Sequence, residues 1–97
     1  MSATTFDLEI WVENQERPTL VRADQRDMAA FELEHRVGVS RALDEMQMVF
    51  FRYIGWHAMR RLGKVDAGIG KDKWLADVIS VEVADDDEPV GPGNPAA

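Results

Sequence analysis

The chain has no cysteine, so neither a disulfide framework nor a thiolate metal site can supplement its core, and the absence suits a reducing cytoplasm. It also lacks a long apolar run. Its greasiest window is interrupted by Arg52 and His57 and falls far short of the roughly 20 apolar residues that span a bilayer. The opening residues MSATTFDLEI hold no basic region followed by an apolar stretch, the pattern of a secretory signal. A soluble intracellular protein is expected. Basic side chains are missing from residues 81–97, which carry five acidic ones. Residues 1–39 carry four basic against eight acidic, residues 40–80 seven against five, and the whole chain is at −7. Acidic ends are repelled by phosphate backbones, which argues against a nucleic-acid partner and favours a neutral or basic protein.

Catalytic signatures are missing as well. There is no nucleophile elbow, phosphate loop or HExxH, and GIGKDK (residues 68–73) lacks the spacing of a phosphate-binding loop. His35 and His57 are the only histidines, 22 residues apart on different predicted helices, whereas zinc needs three or four convergent ligands. The run Asp85–Glu88 lacks the spaced ligands of a calcium hand. No catalytic, cofactor-binding or metal-binding residue is assigned, and a non-enzymatic protein is expected.

At 97 residues the chain makes one small domain, which buries only about 60–65% of its unfolded surface. Phe6, Leu8, Ile10 and Val12 alternate with Asp7, Glu9 and Trp11, a period-two strand signal. ENQERP then turns the chain, and TLVRA (residues 19–23) returns it, predicting a hairpin that must lie on something else. Asp24 predicts the N-cap of a helix running to about Val37, with Asp27 in its first turn and Gly38 just beyond its end. Ser40 predicts the cap of a second helix, a rod of about 35 Å that ends at Gly63. GKVDAGIG (residues 63–70) reads as a linker, and Asp72 as the cap of a short last helix holding Trp74, Leu75, Val78 and Ile79, with SVEV as a brief extended piece. From Asp85 the composition becomes acidic and then rich in proline and glycine, predicting a disordered tail over 85–97 behind a domain of 1–84. The expected fold is mainly α: about three helices, one long and central, with an N-terminal β-hairpin.

The central helix is too apolar for one covered face. At 100° per residue, Leu43, Met46, Val49, Phe50, Tyr53, Ile54 and Trp56 fill one arc, and Met48, Phe51, Ala58, Met59 and Leu62 fill a second on the other side. The first helix and hairpin can cover one arc; the second needs another cover, either the far side of the same core or a partner. Methionine suits a surface that adapts to varied partners. Met48, Phe51, Met59 and Leu62 are the expected masking surface, and Phe50, Tyr53, Ile54 and Trp56 the expected core or subunit contacts; the arcs could exchange these roles.

In order and spacing, the chain resembles the small tail assembly chaperones of long-tailed bacteriophages, those of actinobacterial phages most of all. The residues that carry the likeness are Asp27, Phe31 and Glu32, then Gly38 and Ser40, then Trp56, Ala58, Arg60, Arg61 and Gly63 in WHAMRRLG. Trp74, Leu75, Val78 and SVEVADDDEP complete it. The resemblance spans about residues 24–90. Met59 and Trp74 stand where leucine and phenylalanine are expected, both changes that conserve size. The resemblance implies a protein of the host cytoplasm, absent from the mature virion. It implies binding to the long, helical, aggregation-prone tape measure protein, keeping it soluble while tail-tube subunits polymerise around it. It also implies a frameshifted longer form, contact with the major tail protein, and homo-oligomers. Two rival readings stand beside it. EHRVGVSRAL (residues 34–43) has the outline of a helix-turn-helix regulator, although Asp44 and Glu45 would occupy the first turns of its recognition helix. The acidic tail fits an antitoxin-like module that folds on a basic protein.

Overall fold

The alternation over residues 6–12 forms β1 (Phe6–Val12), and a turn through Asn14, whose φ is 68°, returns the chain as β2 (Thr19–Ala23). Asparagine tolerates this left-handed geometry better than most residues. In a computed structural model that describes residues 4–66 and 68–84, Leu8 lies opposite Val21 and Phe6 opposite Ala23, so one face of the hairpin is apolar and Asp7 and Arg22 pair on the other. The expected disordered tail lies outside the described residues.

A third strand, β3 (Val78–Val83), pairs antiparallel with the free side of β1 and gives the order β2-β1-β3. The expected mainly α fold is therefore corrected: this is an α/β domain, with helices packed on the apolar face of a three-stranded antiparallel sheet. Helical spacing placed Val78 and Ile79 in the last helix with Trp74 and Leu75. The run VISVEV is nevertheless rich in β-branched residues, and β1 offers it a row of backbone partners that a local reading does not see. The last helix shrinks to one turn, Lys71–Leu75, with Gly70 rather than Asp72 at its N-cap; it is α4 of the fold.

The first helix, α1 (Gln25–His35), starts as expected at Asp24, whose side chain accepts from the Arg26 N–H while the Asp27 side chain accepts from the Asp24 N–H. It ends two residues early, with Arg36 in left-handed geometry at φ 58°. Glu32 reaches across the gap and accepts from the Val39 N–H at 2.8 Å, fixing the start of α2 (Val39–Glu45), whose N-cap is Gly38 and not Ser40. The expected long rod is broken. Met46, at φ −147° and ψ 48°, separates α2 from α3 (Gln47–Arg61). Sheet strands of five to seven residues are far shorter than a 35 Å rod, whereas the roughly 22 Å of α3 matches them.

The helix lies close on the sheet because Gly55 faces it. A methyl group at Gly55 would stand 3.3 Å from a Val81 methyl and 3.5 Å from Ile10 Cδ1. Phe31, Phe50, Leu8, Ile10 and Ile54 are fully buried, and Phe50 meets Phe31 and Phe6 edge-on, at ring separations of 5.0 and 6.0 Å. Each such side chain contributes about 1.5–3 kcal/mol on burial. Among the described residues no helix is long and apolar enough to cross a membrane.

Candidate functional site

The two apolar arcs receive different covers. Gly55, in the middle of the second arc, packs on Val81, Ile10 and Leu8, so the sheet lies over that side. Phe51 and Met59 are consequently buried, at 7% exposure each, and Ala58 fully so. The first arc turns toward α1: Phe50 and Tyr53 both meet Phe31 edge-on, and Ile54 is fully enclosed. Trp56 is buried with its indole N–H unpartnered among the described residues. The Arg60 guanidinium stands 5.3 Å from its ring centre, a cation–π contact on the ring face.

The four residues expected to form one masking surface are therefore divided. Met48 and Leu62 stand at opposite ends of the helix, at 75% and 48% exposure. Fourteen residues of helix set them about 21 Å apart. Met48 has company there. It borders a groove of about 260 Å³ between the start of α3 and the edge strand β3, lined also by Gln47, Phe51, Arg52, Ile79 and Val81. Ile79 is 64% exposed, and Val83, two residues beyond Val81 on the same face of the strand, is 47% exposed. The groove thus has a buried aromatic floor at Phe51, two apolar walls in Met48 and Ile79, and a polar rim. The sequence reading puts Ile79 on a short last helix, and nothing in the local sequence marks it as a wall. Its placement depends on the β1–β3 pairing.

A second cluster was also missed. Asp27 is fully buried, yet its carboxylate accepts from His57 Nδ1 at 2.6 Å, from Arg61 Nε and Nη2 at 3.2 and 2.9 Å, and from the Asp24 N–H at 2.9 Å. The sequence assigns His57 to the central helix and gives it no partner. It is half-buried between Asp27 and the Tyr53 ring, on which it stacks at 6.1 Å. The signal was present, because His57 and Arg61 are four apart on one helical face and aim together at a single acceptor. The Asp27 hydrogen bonds raise the affinity of Arg61 for its proton. Beside the cluster, the hydrogen bond from the Arg26 side chain holds Asp24 at a pKa of about 2. Burial, followed by the nearby Glu34 carboxylate, pushes the Tyr53 hydroxyl above its ordinary value. These groups tie α1 to α3.

Four of the residues that carry the resemblance make contacts of this kind. Asp27 meets Arg61, Phe31 meets Phe50 and Tyr53, and Glu32 caps α2. Comparisons with family models, with curated proteins and with solved structures found no match.

Proposed function

We propose that this chain is a non-enzymatic assembly chaperone, acting in the host cytoplasm, that holds a long helical client by its apolar side chains. By the family likeness, that client is the tape measure protein of a phage tail. The observation that carries the reading is the groove of Met48, Ile79 and Phe51. Two apolar side chains stand largely in water above an aromatic floor, where the start of α3 and the edge strand part. An amphipathic client helix can lay its own apolar side chains into such a cleft, and a flexible thioether adjusts to whichever ones arrive. The polar rim of Gln47, Arg52, Ser80 and Glu82 leaves the rest of the client in water.

The geometry lends less to the helix-turn-helix reading. The second helix of that motif would be α2, of seven residues, where Arg41 is engaged by Glu45 at 3.1 Å and Asp44 and Glu45 are exposed. Carboxylates on that face oppose phosphate.

The test is co-expression with the longest helical protein encoded beside this chain, alone and with the frameshifted form. The client is expected to move from the insoluble to the soluble fraction and to co-purify. A client that stays insoluble with both forms present overturns the reading.

A further inference from the structure

The sheet has two edges, and they are not alike. On β2, the Arg22 carbonyl is engaged by Arg61 Nη2 at 3.3 Å. On β3 the outer edge is open among the described residues. The Ala84 N–H donates to the Asp7 carbonyl at 2.7 Å, which makes Ala84 and Asp7 a hydrogen-bonded pair. In an antiparallel ladder such pairs alternate, so Glu82 and Ser80 also face β1, while the N–H and C=O of Val81 and Val83 point away from it. Among the described residues those groups have no partner in the ladder. The bulge of this strand lies at its start, opposite Trp11 and Val12, and leaves Ser80–Val83 regular. Proline is absent from β3, and Glu82 is its only charge, so the usual guards of an exposed edge are nearly missing.

We infer that β3 pairs antiparallel with β3 of a second copy, about a two-fold axis at Val81, to make one six-stranded sheet. The register follows from the side chains. Backbone parity allows pairing centred on Ser80, Val81 or Glu82. A centre at Glu82 sets two carboxylates directly opposite each other, which is destabilising. A centre at Ser80 sets Val83 opposite Asp77. Only a centre at Val81 sets the exposed Ile79 of each copy opposite the exposed Val83 of the other, with Ser80 opposite Glu82. The pairing then spans Ile79–Val83 of each copy, with Ile79 at the bulge, and ends before the acidic run begins. Residues 79, 81 and 83 share the helical face, so the two grooves meet across the axis and present one doubled apolar trough. This inference rests on the strand edge alone, and stands or falls apart from the identity of the client.

Two variants test it by sedimentation equilibrium and cross-linking. Val83→Pro removes an outward N–H and no hydrogen bond to β1, so it fits an edge strand. Wild type is expected to sediment at twice the mass of the 10.9 kDa chain. Val83→Pro is expected to dimerise at least about tenfold more weakly, since the lost bond counts twice across the axis, while keeping its circular dichroism. The chain is free of cysteine, so Val81→Cys adds a single thiol that meets its own copy at about 5.5 Å between Cα atoms, within disulfide reach. It is expected to form a covalent dimer on oxidation, and Ser80→Cys to form far less. A monomeric wild type, or equal cross-linking at positions 80 and 81, overturns the inference. If Val83→Pro unfolds, the cross-linking pair decides alone.

Discussion

Asp27 is the residue on which α1 and α3 agree. A carboxylate removed from water is costly unless it is paired and hydrogen-bonded, and this one has four donors. Removing it takes the shared acceptor from Arg61 and His57 and breaks the bond that Asp27 returns to the Asp24 N–H in the capping box of α1. Asp27→Ala is expected to cost about 3–5 kcal/mol in chemical denaturation, a large part of what a domain of this size has. Asp7→Ala, which breaks an ion pair that lies mostly in solvent, is expected to cost under about 1 kcal/mol. Tyr53 supplies a readout of the same region, because it is the only tyrosine and its hydroxyl lies 3.4 Å from both the Ala30 carbonyl and Glu34 Oε1. Its folded-state pKa is raised by burial, so its contribution to stability is complete below the unfolded value of about 10 and is lost as pH climbs through the higher folded one. Ultraviolet titration of the native protein is expected to show phenolate appearing later than in denaturant. Of these groups, the capping role of Asp24 and the place of Asp27 in the first turn of α1 were legible beforehand. Charge near a helix start is a local pattern, whereas the meeting of Asp27 with His57 and Arg61 spans thirty or more residues of chain.

The elements divide in the same way. The hairpin was legible because both of its signals, alternation and a turn, lie within eighteen residues. The third strand was not: it pairs with residues about seventy positions earlier, and a six-residue apolar run can be fitted to either period. The break at Met46 had no glycine or proline to announce it. Gly55 carries the contact between α3 and the sheet. Gly55→Val would drive two methyl groups into Val81 and Ile10, and its thermal unfolding is expected to fall by roughly 1–3 kcal/mol despite the better helix propensity of valine.

For the whole molecule, the opening difficulty was an apolar helix with two faces to hide. The sheet hides most of the second face and leaves its end at Met48 in water, next to Ile79. Burial therefore separates two residues that the helical wheel had joined. Phe51→Asp places a charge in a 7% exposed site and is expected to unfold the domain, whereas Met48→Asp sits in the first turn of α3, where a carboxylate suits the helix dipole and the fold should persist. That contrast gives the most direct measurement: co-expression of the neighbouring long helical protein with wild type and with Met48→Asp, scored as soluble client per folded chaperone. The groove reading predicts that Met48→Asp keeps its circular dichroism and loses most of the soluble client. A Met48→Asp protein that solubilises the client as well as wild type does would contradict it.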